Sequence, residues 1–213
     1  ALLVAAAADE ARALPGRATM LEKVGFDSLW SAQAIGRGFM VVDPFITLSV
    51  AATHTSTVEL GTAILQLPLY SPADIALKAF SLMQISGNRL LLGIGAGSTQ
   101  VDHDVHHTVF EDRFQNFNKG LIELRTWFEH GGDGENELSP WASVVGGPPI
   151  LHGTWGAGVE RAAKEFSGWI GSGMHRTPEQ LEEAIALYRA AGGLRAIVST
   201  IRLGPDKDIG TVK

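Results

Sequence analysis

The chain has no cysteine. That absence removes a disulfide framework, a thiolate nucleophile and any thiolate-held zinc or iron–sulfur centre. Charge is also scarce: 19% of the 213 residues are charged, with 17 basic against 23 acidic side chains and a net charge of −6. Nucleic acid or an anionic membrane as the main partner would call for a dense Lys/Arg surface. The balance therefore argues against both. No apolar run approaches the roughly 20 residues that span a bilayer, and the Ala-rich opening Ala1–Ala8 lacks a basic leading segment. The expectation is a cytoplasmic protein with a small-molecule partner.

What the chain does have is 45% hydrophobic residues, enough to fill one sizeable core, so residues 1–213 are read as a single domain. Short β-branched or leucine-rich runs alternate with longer amphipathic stretches, the pattern of repeated βα units around a parallel sheet. Seven strands are read at Ala1–Ala8, Phe26–Ala32, Val58–Leu65, Arg89–Ile94, Pro149–His152, Trp169–Gly171 and Ala196–Leu203. Helices are read from Asp9 to Val24, from Pro44 to His54, from Pro72 to Ile85, from Phe110 to Glu129, from Gly158 to Phe166 and from Pro178 to Ala191. Three of them open with cap-plus-proline chemistry: Asp43-Pro44, Ser71-Pro72 and Thr177-Pro178, the last with Gln180 completing a capping box. The Gly-, Ser- and Glu-rich stretch 130–147 reads as a surface loop. Seven strands with six intervening helices indicate an α/β fold of the TIM (β/α)8 type, one unit short of eight.

In such a fold the reacting groups follow the strands. Two Gly-rich turns stand out, Gly95-Ala96-Gly97-Ser98-Thr99 and His152-Gly153-Thr154-Trp155-Gly156-Ala157-Gly158. Backbone N–H groups in such turns hold a phosphate, although tight βα turns use glycine for geometry alone. Neither turn has the spacing of a dinucleotide fingerprint or of a P-loop with its lysine. His152, at a strand end beside a Gly turn, is the better functional histidine. His103, His106 and His107 run together with Asp102 and Asp104. Imidazole and carboxylate are metal-ligand types, but no second ligand group of known spacing accompanies them, and the run reads as a solvated loop end rather than a metal site. His54 closes a helix and reads as a C-terminal cap. Trp30 and Trp169 read as core.

The linked order of several stretches resembles the bacterial luciferase-like superfamily of flavin- or deazaflavin-dependent oxidoreductases. These are Gly25-Phe26-Asp27-Ser28-Leu29-Trp30, Asp43-Pro44-Phe45, Val58-Glu59-Leu60-Gly61-Thr62-Ala63, Pro68 with Ser71-Pro72, and Gly87-Asn88-Arg89 through Gly97. Phe110-Glu111-Asp112-Arg113-Phe114, Pro148-Pro149-Ile150, Gly168-Trp169-Ile170 and Thr177-Pro178-Glu179 continue it. The resemblance covers residues 20 to 205. It implies a shortened luciferase-like TIM barrel, an oxidoreductase or monooxygenase acting on a small organic molecule, with FMN or the deazaflavin coenzyme F-420 as cofactor and a homodimer as assembly. The alternative it leaves is a non-catalytic flavin-binding barrel.

The resemblance also places the residues. A cis peptide is expected at Ala63–Ile64, supporting the isoalloxazine ring, with Gln33, Ile64, Gln66 and His152 around it. Gly97 and Ser98, with Gly153, Thr154, Trp155 and Gly156, would hold the phosphate. Gln33 and His152 are the catalytic candidates, His152 as general base. Gln33-Ala34-Ile35 stands where many members carry an acidic-His or His-His pair, and a Gln in that place looks more like some deazaflavin-dependent members. Ala96 stands where luciferases place a phosphate-binding arginine, so backbone amides and hydroxyls, or Arg37 reaching in, would take that role. The chain carries the barrel through the seventh strand.

Overall fold

The structure, a computed structural model, describes residues 1–199. The chain divides into two compact units, Ala1–Leu151 and His152–Lys213. The part of the last expected strand beyond residue 199 lies outside the described residues.

The first unit opens with helix α1 (Ala8–Val24), then β1 (Ser28–Ser31), α2 (Pro44–His54), β2 (Glu59–Thr62), β3 (Leu65–Gln66) and a 3-10 turn at Leu67–Leu69. It continues with α3 (Pro72–Ser86), β4 (Leu90–Gly95), α4 (Gln100–Val105) and α5 (Arg113–His130). β1 pairs in parallel with β2, β2 with β4, and β3 with β4. Sequence neighbours are joined by helical crossovers, as parallel pairing demands. Leu29, Leu60, Leu90 and Leu92 on these strands are buried, as are Leu48 of α2 and Ile75 and Leu82 of α3, the helices that pack on the strands.

The helix starts follow the capping chemistry read from the sequence in two of three cases. Asp43 Oδ1 accepts the main-chain N–H groups of Phe45 (2.8 Å) and Ile46 (3.2 Å), with Pro44 at the first helical position. Ser71 precedes Pro72 in the same way but makes no side-chain cap bond. His54 closes α2 with Nδ1 2.9 Å from Val50 O.

Three expectations change. Ala1–Ala8 is not a strand: only Leu2 bridges to Trp30, because alanine brings too little side-chain surface to hold a longer ladder. The Val58–Leu65 strand is two strands, β2 and β3, separated at the cis Ala63–Ile64 peptide. The Asp102–His107 run is not a solvated loop end. Its first part is helix α4, and Asp102 and His103 within it are fully buried.

β5 (Ile150–Gly153) opens at the end of the first unit, where Leu92 N–H donates to Pro149 O at 2.9 Å. The second unit carries α6 (Gly158–Glu165), β6 (Gly168–Ser172), α7 (Pro178–Ala190) and β7 (Ala196–Ser199). Thr154 N–H donates to Ile170 O, and β6 pairs in parallel with β7. Val159, Ala162, Trp169, Ala184 and Tyr188 form its core. The capping box at the start of α7 forms as read, Thr177 Oγ1 accepting Gln180 N–H while Gln180 Oε1 accepts Thr177 N–H. Trp30 and Trp169 are buried.

Candidate active site

Within the first unit, Gln33, Gln66 and Gly97 come together from three separate segments. They do so around Asp102, which sequence reasoning passed over. Asp102 is 0% exposed. A buried carboxylate persists only when donors surround it, and here they do. Arg37 grips both oxygens, Nε to Oδ1 at 3.0 Å and a terminal nitrogen to Oδ2, while Gln66 Nε2 donates to Oδ2 at 2.7 Å. Burial pushes the Asp102 pKa up, but Arg37, Gln66 and the Ile35 N–H together hold it below the usual carboxylate value.

This network fixes the direction of the Gln66 amide. An ionised carboxylate only accepts, so the Gln66 amino group must face Asp102 and Oε1 must face the other way. On that side lies Gly97, whose φ of +85° favours glycine, and where a Cβ would fall 2.3 Å from Gln66 Oε1 and 3.0 Å from His103 Nε2. Gln66 Oε1 and His103 Nε2 are both buried and have no hydrogen-bond partner. His103 Nδ1 is engaged, 2.9 Å from Thr108 Oγ1. A buried polar atom left unpaired costs about 1–3 kcal/mol. Two of them meeting at one glycine, next to Ser98, are the sharpest polar feature of the unit.

Gln33 links this network to a cleft. Its Oε1 accepts the Gln66 main-chain N–H at 3.0 Å, and its Nε2 donates to the Tyr70 hydroxyl. The cleft, of about 310 Å³, is lined by Gln33, Tyr70 and the segment that follows β1, from Ala34 to Pro44. Its wall is mainly apolar, with Phe39 and Met40 largely exposed at 54% and 81%. Burial, with Asp43 as the next cause, pushes the Tyr70 phenol up to about 12, so it keeps its proton at neutral pH. Two nitrogens of the Arg37 guanidinium are engaged by Asp102.

In the second unit, His152 is buried and its ring stacks on Phe166 of the chain following α6, 4.6 Å between centroids. Burial first, and Arg161 second, bring its pKa down to about 4. At pH 7 the imidazole is neutral, and a group of that pKa is poorly matched to proton transfer near neutrality. Thr154 O accepts the Trp169 indole N–H at 2.7 Å, and its side chain abuts α6, since a Cβ at Gly158 would fall 2.1 Å from Thr154 Oγ1. Trp155 stands edge-on to Trp169, and the Arg176 guanidinium lies 4.6 Å from the Trp155 ring centroid. Arg176 is a cation beside the Gly153–Gly156 turn that the sequence reading did not single out. Among the described residues, no group of three or more His, Asp or Glu could hold a metal ion.

The sequence profile of the luciferase-like monooxygenases matches residues 3–199. The chain belongs to the luciferase-like monooxygenase family. A curated relative, 4-hydroxyprotoasukamycin monooxygenase of Streptomyces nodosus subsp. asukaensis, is 32% identical over 90 residues, 42% of this chain and 24% of the relative. The oxygenating constituent of the 3,6-diketocamphane monooxygenase of Pseudomonas putida, solved with FMN, superposes with a TM-score of 0.70 at 18% identity, covering 88% of this chain and 58% of that one. An F-420-dependent secondary alcohol dehydrogenase, solved with an F-420–acetone adduct, gives a TM-score of 0.63 at 19% identity, covering 86% and 63%. The chain thus spans less than two thirds of each of these luciferase-like family relatives. The likeness fixes the fold class as α/β of the luciferase-like TIM-barrel type.

Proposed function

We propose that this luciferase-like chain is the cofactor-binding part, or the whole, of a flavin- or deazaflavin-dependent oxidoreductase acting on a small uncharged organic substrate. The observation that carries this reading is the pair of buried unpartnered atoms at Gly97, Gln66 Oε1 and His103 Nε2. An amide oxygen whose direction is locked asks for a ligand N–H, and the imidazole nitrogen beside it donates or accepts according to its tautomer, so the pair suits a ligand edge carrying an N–H with a second polar group next to it. The pyrimidine edge of a flavin or deazaflavin is such an edge. Gln66 and Gly97 would meet it, in place of the phosphate role that the resemblance implies for Gly97 and Ser98, with Ala63 and Ile64 beneath the ring. In the second unit taken by itself, Gly153, Thr154, Trp155 and Gly156 form a candidate phosphate-binding turn, with the Arg176 guanidinium beside it at the Trp155 ring. When bound and reduced, the cofactor supplies two reducing equivalents.

The chain's own contributions follow from the fixed polarities. Asp102 and Arg37 orient Gln66, and Gln33 ties that amide to Tyr70. His152 takes no proton-transfer role at neutral pH in this reading. FMN and F-420 are titrated separately into the protein, following cofactor fluorescence, with Gly97→Ala as the comparison. One of the two binds the wild type in the micromolar range or tighter. Gly97→Ala weakens that binding about tenfold or more, because the new methyl displaces the Gln66 amide and the positive φ strains the backbone. Failure of both cofactors to bind overturns the reading. Binding without turnover of any added substrate would leave the non-catalytic member.

A further inference from the structure

The chain between β1 and α2 is fastened at two points. At the far end the Val42 N–H donates to Ala5 O at 3.1 Å, and Asp43 caps α2. At the near end Gly36 packs on α4 and the Arg37 guanidinium grips Asp102. Between these points Gly38, Phe39, Met40 and Val41 make no main-chain hydrogen bond among the described residues. A Cβ at Gly38 would meet nothing within 4 Å, and Phe39 and Met40 are exposed. Few buried contacts and unpaired main-chain groups mark a segment that opens far more readily than the core. Gly36 and Gly38, at φ +67° and +79°, flank Arg37, which is the only charged residue from Ala34 to Val42. Residues 38–41 therefore form a strap with a single charged fastening.

That fastening is asymmetric. The Arg37 side chain is 35% exposed, so water can solvate its charge, whereas Asp102 is 0% exposed and loses its cation if Arg37 leaves. Arg37 and Gln66 also meet on the same carboxylate oxygen, Oδ2. A buried carboxylate stripped of its cation takes up water or a proton. Water and a protonated carboxyl both donate as well as accept, so neither obliges the Gln66 amino group to face Asp102.

We propose that Arg37 is a latch. Closed, it holds the strap and, through Asp102 Oδ2, keeps Gln66 Oε1 aimed at Gly97; open, it releases strap and amide together. Arg37 is thus a positioning residue that acts through Asp102. The latch follows from the geometry alone, and only its consequence for the cofactor edge rests on the cofactor reading above. By linkage, a ligand N–H on Gln66 Oε1 favours the closed strap by the same factor by which the closed strap tightens that ligand.

Trypsin must draw the Arg37 side chain into its own specificity pocket, so it cuts the Arg37–Gly38 bond only when the latch is open. The intact chain is digested, and cleavage at this bond is compared with a free peptide of residues 33–42 and with the Arg125–Thr126 bond inside α5, which requires global unfolding. In the wild type the Arg37–Gly38 bond is cut about a hundredfold more slowly than the peptide, yet faster than Arg125–Thr126. Arg37→Lys keeps the charge and the cleavage site but has no planar fork for two oxygens. Relative to its own peptide, its cleavage rises about tenfold while Arg125–Thr126 changes little. Leu82→Ala, a core substitution in α3, raises cleavage at both bonds together. With nitrogen-15 glutamine, the Gln66 side-chain amino group exchanges its protons with water faster in Arg37→Lys, by the factor that cleavage rises.

Wild-type cleavage at the rate of the free peptide, cleavage that only tracks Arg125–Thr126, unaltered cleavage in Arg37→Lys, or faster cleavage with unaltered Gln66 exchange each overturns the proposal. The wild-type comparison decides on local opening even if Arg37→Lys does not fold. FMN and F-420 are titrated into the same preparations. A protein that binds neither cofactor yet shows both effects of Arg37→Lys refutes the cofactor reading alone, whereas one that binds a cofactor without those effects refutes this proposal alone.

Discussion

Asp102 has no exposed surface, yet the Arg37 guanidinium, the Gln66 amino group and the Ile35 N–H favour its ionised form. Asp102→Asn keeps the shape and removes the charge, leaving the Arg37 guanidinium and the Gln66 amino group competing for one acceptor oxygen. Breaking a buried pair from one side costs about 3 kcal/mol, which corresponds to a Tm lower by about 6–12 °C in thermal denaturation. The pH dependence has a definite sign. The folded pKa lies below the unfolded one, so the stabilisation is present above the ordinary carboxylate pKa and is lost as the pH falls through the lowered folded value. Wild type and Asp102→Asn should therefore converge in stability toward acid pH. If they stay equally far apart, the carboxylate charge is not what stabilises the network. Gln33, Gln66 and Gly97 were legible in the sequence because they follow strand-like runs. Asp102 was not, because its partners lie 65 and 36 residues away and its neighbours His103, Asp104, His106 and His107 give it the look of a solvated run.

Elements show the same division between local and distant causes. Capping boxes and cap-plus-proline starts act over three or four residues, so α2 and α7 begin where the sequence places them. The split between β2 and β3 depends on a single cis peptide, for which only the family resemblance gave a signal. The connection between α2 and β2 is also held from a distance. Glu22, in the last turn of α1, accepts the main-chain N–H groups of Ser56, Thr57 and Val58. The Thr57 N–H leads in bringing its pKa down to about 2, and burial, the next largest cause, opposes it. These bonds stabilise the protein fully above the usual glutamate pKa and fade as the pH drops toward about 2. Glu22→Gln is expected to cost about 1 kcal/mol at pH 7, since solvent screens a surface charge. It should also flatten the stability profile between pH 5 and about 2. Thermal melts across that range read both, and a variant as pH-sensitive as the wild type would remove Glu22 from the account.

At the scale of the whole molecule, the family and the fold class were readable from linked motifs, while the network that orients the site was not. No helix among the described residues is long and apolar enough to cross a membrane. α2 and α3 leave Ile46, Leu77 and Ile85 exposed at 59%, 50% and 53%, although Phe45, Leu48, Ile75, Phe80, Leu82 and Met83 on the same helices are buried. We predict that these faces pair in a homodimer. Sedimentation at tens of micromolar should show a dimer that Leu77→Glu disrupts, and a wild-type monomer under those conditions would refute it. The segment after β1 carries a different consequence. Gly36, at φ +67°, lies against α4, where a Cβ would come within 2.8 Å of Val105 Cγ2 and 3.1 Å of Val101 O, and Arg37 next to it is bound to Asp102. These two residues moor the segment. Phe39 and Met40 beyond them are exposed, and replacing exposed side chains typically shifts stability by no more than about 0.5 kcal/mol. Phe39 and Met40 can therefore be exchanged almost without cost to the fold, so that part of the cleft wall is free to change shape while its moorings stay put.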